Sequence, residues 1–206
     1  ITNFMQSFAV AVTNRGLLVY GNNKVAAMGI VMKVNMIAAL ILVGFAFGCQ
    51  PLVGYNYGAR NKKRLKEILA FSYKFECGLA VILAVILSAG ARPLIRVFMK
   101  TPEIVDSGVL MLRLQQAGMM FMAVVLVTTC VFQSAGKAMG AFLLSVSRQG
   151  VIYGIVIVIA SHMIGYHGVL AAQAVSDFLT ALMAAILLKH ELWSELTDIK
   201  RNEEAV

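Results

Sequence analysis

Asp177 stands near the middle of an apolar run, 168–188, and no other carboxylate is placed at mid-run depth elsewhere in the chain. A charged side chain inside lipid is costly, so it faces a bundle interior or a watery cavity and finds a partner. Two chemistries suit such a residue: reversible binding of a proton or cation, or a structural ion pair. The pair is favoured, because Arg148 in the preceding run has a side chain long enough to reach midplane. Arg113, followed by Gln115 and Gln116, and Lys33, followed by Asn35, also lie inside apolar runs. Snorkelling to the outer surface explains both, and lining a cavity is the sharper alternative. Lys74 and Glu76 read as an interfacial polar face at the start of their run.

The uncharged polar residues Gln6, Asn14, Gln133, Gln149, Tyr153 and Gln173 are scattered over the same runs. Each suits a hydrogen bond between helices. With twelve Met and eleven Phe they also suit a pocket that re-packs around differently shaped guests. Enzymatic chemistry has no support. The chain has no phosphate-binding glycine loop, no paired carboxylates at useful spacing and no His/Cys metal cluster. Its histidines, His162, His167 and His190, fall at run ends. Cys49, Cys77 and Cys130 lie in apolar surroundings and read as small core hydrophobes, with no metal or other cofactor implied.

Six apolar runs must position these residues: 4–20, 28–50, 69–91, 107–133, 141–161 and 168–188. Each approaches the ~20 residues a helix needs to cross a bilayer. Composition agrees, with 206 residues 60% hydrophobic and only 14% charged, and a mean hydropathy of +0.81. That excludes a soluble enzyme, a nucleic-acid module and a disordered tail. The runs are unbroken blocks without strand-like alternation, so a β-barrel is excluded too. The expected fold is an all-α polytopic membrane protein, a bundle of six transmembrane helices. No repeat is visible among them.

The net charge of +8 reads as basic loops held against anionic lipid. Nine Lys and Arg fall in the second and fourth breaks and the tail, against four in the other breaks. The positive-inside rule then puts both ends in the cytoplasm. Residues 1–191 form the membrane domain, and 192–206 a polar cytoplasmic tail. Residue 1 is Ile, with no initiator Met, so the chain is expected to be a fragment.

One break carries a specific motif. Gln50-Pro51 is expected to stop the second helix, since a residue before proline is pushed out of the α region. A turn containing Gly54, Asn56 and Gly58 then leads into the basic segment Arg60 to Lys66. The stretch Phe47 to Arg60 resembles the sequence after the eighth helix of multidrug and toxic compound extrusion (MATE) transporters. Thr13-Asn14-Arg15, Phe132 to Lys137, Ser145 to Gly150, and Asp177 after Gln173 agree in order. The resemblance covers essentially the whole chain and implies the C-terminal lobe, helices seven to twelve.

It further implies secondary active efflux of lipophilic or cationic drugs, driven by H⁺ or Na⁺ through alternating access. The implied partners are the N-terminal six-helix lobe, the lipid bilayer and small-molecule drugs, with no nucleic acid. The setting is a bacterial cytoplasmic membrane. Gln6, Asn14, Arg113, Arg148 and Asp177 become the expected substrate or ion pathway. Gln50, Pro51, Gly54, Asn56 and Gly58 become a structural gate motif. Where the family places an acidic residue in its seventh helix, Phe4 to Tyr20 has none, so Asp177 inherits no coupling role by default. Two rivals remain: a superfamily relative flipping lipid-linked precursors or polysaccharide, and a truncated, non-transporting membrane fragment.

Overall fold

The structure, a computed structural model, describes residues 2–193. The expected tail, 192–206, lies outside that range beyond Trp193. Ten α-helices follow one another: α1 Thr2–Leu18, α2 Asn22–Gly48, α3 Gln50–Gly58, α4 Lys62–Ala89 and α5 Ala91–Phe98. After them come α6 Pro102–Gln116, α7 Met119–Ser134, α8 Ala138–Val146, α9 Ile152–Ile164 and α10 Tyr166–Leu187. Two π-helical turns interrupt or extend the series, at Ser147–Val151 and Leu188–Trp193.

Four helical stretches are long and apolar enough to cross a membrane: Asn22–Gly58, Lys62–Ala89, Ala138–Ile164 and Tyr166–Glu191. The pair α6 and α7 makes a fifth, bent by 49°. With the 17-residue α1 these account for the six runs of the sequence. The exterior is apolar: Met36, Ile37 and Leu40 on α2, and Val85 and Ile86 on α4, stand more than half exposed. Such a surface has lipid as its solvent, because no apolar patch this extensive is stable in water.

Inside, one large cluster joins α1, α2, α5, α6, α9 and α10 around Leu17, Val31, Met111, Tyr153 and Leu170. Smaller clusters seat α4 on α3 and α7 (Val53, Leu69, Val131), and α4 on α2 and α7 (Leu42, Ala80, Ala123). Turn chemistry fixes the joints. Gly136 (φ 72°) and Gly165 (φ 61°) take the left-handed conformation where α7 and α9 end. The Asn61 side chain accepts from the Arg64 amide (3.1 Å) and so caps α4.

Four expectations about the elements need correction. Gln50-Pro51 does not turn the chain out of the helix: α2 ends at Gly48, but Cys49 keeps helical dihedrals, Gln50 is itself helical, and Pro51 occupies the opening of α3, where a missing amide costs nothing. The span therefore runs 37 residues to Gly58, and Gly54, Asn56 and Gly58 are helical. The helix ends instead in a Schellman motif: Asn61 N–H donates to Asn56 O and Arg60 N–H to Tyr57 O, both at 3.0 Å. Arg60, not a glycine, takes the positive φ there (54°). The run 107–133 is broken at Ala117-Gly118. The run 141–161 contains the π-turn. The break after Arg92 is itself a short amphipathic helix, α5, whose Ile95 is buried against Gly108.

Candidate functional site

The site is a set of polar contacts at the irregular places of these helices. Arg148 sits in the π-turn Ser147–Val151, and its Nε donates to Asp177 Oδ1 on α10 at 2.7 Å. Both side chains are enclosed, 14% and 5% exposed. Gln173 Nε2, one turn before Asp177, donates to the same oxygen at 3.2 Å. A π-turn disturbs the regular backbone ladder. Here the Ser176 hydroxyl donates to the Arg148 carbonyl at 3.0 Å, so backbone and side chain of Arg148 are both tied to α10. A buried charge is tolerated on these terms: paired, with further hydrogen bonds around it.

The bend between α6 and α7 lies against the same stretch of α10. A Cβ at Gly118 would come 2.8 Å from Ala174 Cα and 3.4 Å from Asp177 Oδ2. On the other side, Thr13 of α1 and Tyr153 of α9 share a buried hydrogen bond. Gly150, inside the π-turn, packs on Met5 of α1, whose sulfur lies 2.6 Å from where a Cβ would sit. The ion pair is thus held between α10, the bent helix and the π-turn, and α1 packs on the π-turn and α9.

Gln6 and Asn14 lie elsewhere. With Ser7, Val10 and Ala11 they line a shallow, one-sided cavity formed by α1 alone. Arg113 is apart from both groups: it is exposed and its Nε donates to Ser88 O of α4 at 3.3 Å. With Gln116 and Phe121 it lines a separate cavity of about 550 Å³. The five expected pathway residues therefore fall into three places, and only Arg148 and Asp177 meet. Of the gate motif, Gln50 Nε2 donates to Gln133 Oε1 (2.9 Å), joining α3 to α7. Gly54 lets α3 approach α7 closely, since a Cβ there would lie 3.4 Å from Ser134 O. Asn56 is turned inward, its Nδ2 donating to Leu52 O at 2.8 Å.

Sequence reasoning missed two groups. Asn35 of α2 bonds Gln115 and Gln116 of α6; the Gln116 Nε2 to Asn35 Oδ1 distance is 2.8 Å. The signal was available, since an amide in one apolar run needs an amide in another. The second is Glu76, which is not interfacial: it lies midway along α4 and is 2% exposed. Asp177 is therefore not the sole carboxylate at mid-helix depth. Among the described residues, no group of three or more His, Cys, Asp or Glu could hold a metal ion.

The MatE family model matches residues 1–159. The chain belongs to the MATE family. Multidrug export protein MepA of Staphylococcus haemolyticus (strain JCSC1435) is 27% identical over 187 residues, 90% of this chain and 40% of the relative. MepA of Staphylococcus aureus (strain NCTC 8325 / PS 47) is 28% identical over 200 residues, 96% and 43% respectively. The Vibrio cholerae MATE transporter VcmN in its bent form superposes with a TM-score of 0.86 at 18% identity, covering 94% of this chain and 44% of that one. A Pyrococcus furiosus MOP superfamily transporter gives 0.86 at 18%, covering 97% and 44%. These structures share the fold, one lobe of a MATE-type transporter. The chain spans about two fifths of the length of the curated relatives it matches.

Proposed function

We propose that this chain is the C-terminal lobe, residues 1–191 with a cytoplasmic tail 192–206, of a secondary active multidrug exporter. The observation that carries this is the polar strip on α1: Gln6 and Asn14 on a shallow, one-sided cavity of that helix. Polar groups facing outward from a membrane lobe need a wet partner surface. A second, N-terminal six-helix lobe supplies it, and drugs bind between the two. An apolar wall with a few amides suits lipophilic or cationic compounds, which need little directional recognition. The MepA relatives, named as multidrug export proteins, support the same substrate class.

The protein then works by alternating access in a bacterial cytoplasmic membrane, both ends cytoplasmic, with inward H⁺ or Na⁺ driving antiport. It uses no cofactor and performs no catalysis. Flipping of anionic lipid-linked precursors fits less well: Arg148 is neutralised by Asp177, and Arg113 lies away from the α1 cavity. The test is accumulation of a fluorescent lipophilic cation in cells making the full-length protein. Accumulation should fall, and of the pH and Na⁺ gradients, collapsed separately, the one that drives export should restore it. Accumulation equal to that of cells without the protein would overturn the reading.

A further inference from the structure

Among the described residues, Glu76 is the one enclosed carboxyl whose surroundings the ion pair does not explain. The buried face of α4 reads Leu65, Leu69, Ser72, Glu76, Ala80, a helical stripe directed at α3, α7 and α2. Glu76 stands in that stripe midway along α4, and its Oε1 is fully enclosed with no hydrogen-bond partner. Its polar neighbours are engaged elsewhere: Ser72 donates to Ile68 O (2.8 Å), and Tyr73 shares a hydrogen bond with Thr128 (2.8 Å).

Among the described residues, no cation is directed at it. From α7 the ionisable group within electrostatic range is the Cys130 thiol, with Cys49 of the α2–α3 joint behind it. Its own helix offers Cys77, and Lys74 is exposed. Arg113 of α6 is bonded to Ser88 O, twelve residues along α4, or ~18 Å at the helical rise. Lys24 of α2 donates to Ser107, Lys33 is exposed, Arg92 of α5 pairs with Asp106 and Arg96 is exposed. On α3, Tyr55 is exposed and Tyr57 packs on the apolar side of α4.

A carboxylate with an oxygen enclosed and unpartnered is disfavoured, whereas the neutral acid is tolerated. A sodium ion would need several oxygen ligands, and the neighbours are thiols, alkyl groups and hydroxyls already engaged in hydrogen bonds of their own. One wall of the enclosure also hangs on a break: α7 is hinged at Gly118 by the 49° bend. The geometry points to Glu76 as a reversible proton-binding site, loaded as the carboxylic acid when α7 closes on α4. It releases that proton to water when α7 swings away. The chemistry balances without a co-reactant: one proton from bulk water joins one carboxylate oxygen, and the same proton returns to water. This rests on the alternating-access reading for its motion, but the proton site itself can be tested without transport.

The experiment is infrared difference spectroscopy on the full-length protein in liposomes, stepped between acidic and alkaline buffer without drug or Na⁺. A protonated-carboxyl C=O band that bleaches on the step is expected in the wild type. It should be lost in E76Q and kept in D177N. A wild-type band in E76Q would overturn the proposal. If E76Q fails to fold, E76D should shift both the band and its titration midpoint, and an unshifted band overturns the proposal equally. A Na⁺ step at constant pH should leave the band in place, and its loss would reassign the site to Na⁺. If the band behaves as expected while the wild type exports no lipophilic cation, the efflux reading fails and the proton site stands.

Discussion

Gly118 and Ala174 pack backbone to backbone: a Cβ on Gly118 would lie 2.8 Å from Ala174 Cα and 3.1 Å from its Cβ. The contact sits where α6 bends into α7, so the bend and the approach of α10 require the same missing side chain. Gly118→Ala should therefore force α7 and α10 apart, costing about 1–3 kcal/mol as overpacking does in close-packed interiors. Thermal unfolding of the solubilised full-length protein checks this. Adding Ala174→Gly should restore only part of the loss, because it removes the atom at 3.1 Å and leaves the Cα at 2.8 Å.

The Arg148–Asp177 pair makes a second prediction. Asp177→Ala or Arg148→Ala alone strands a charge that is enclosed by three helices, and each should destabilise by about 3–5 kcal/mol. Removing both should cost less than the larger single change. A double-mutant cycle on melting temperature measures that coupling. Additive losses would mean that the pair contributes nothing as a pair.

That pair was legible in the sequence because lipid forces charges to find each other, and only a few charges lie inside the apolar runs. The number and order of spans were legible for a similar reason, since unbroken apolar blocks have one stable backbone solution in a membrane. Glu76 was not, because hydropathy marks where a sequence turns apolar and not where a helix begins. Asn61 caps α4 well ahead of its apolar run, so the helix starts at Lys62 and Glu76 becomes central. Nor was the bend visible: glycine is common in membrane helices, and only the approach of Ala174 shows why this one interrupts. Pro51 misled by its type. A proline ends a helix when it removes a needed amide, and opens one when it does not.

The α1 cavity yields a functional prediction. Ala11 faces it between Gln6 and Asn14, so Ala11→Trp should cover it and abolish export of a fluorescent lipophilic cation. Asn14→Ala removes one neutral hydrogen-bonding group. It should weaken apparent affinity by roughly 2- to 12-fold, the equivalent of about 0.5–1.5 kcal/mol. Concentration-dependent efflux at matched expression measures both. Export unaffected by Ala11→Trp would place drug binding elsewhere.

The last prediction concerns Pro51 itself. Buried in a helix interior, proline costs ~3 kcal/mol, and replacing it with alanine would strongly stabilise the span. At the opening of α3 the missing amide is not needed, and the ring sits exposed at the surface of the bundle. The α2–α3 joint is also held by other contacts: Val53 N–H donates to Cys49 O at 3.0 Å, and Gln50 bonds Gln133 at 2.9 Å. Pro51→Ala should therefore change stability by less than ~1 kcal/mol, the sign set by the freedom alanine adds to the unfolded chain. Chemical unfolding of the full-length protein measures it. A stabilisation near ~3 kcal/mol would show that Pro51 strains a continuous helix, and the joint at Cys49 would then be its consequence.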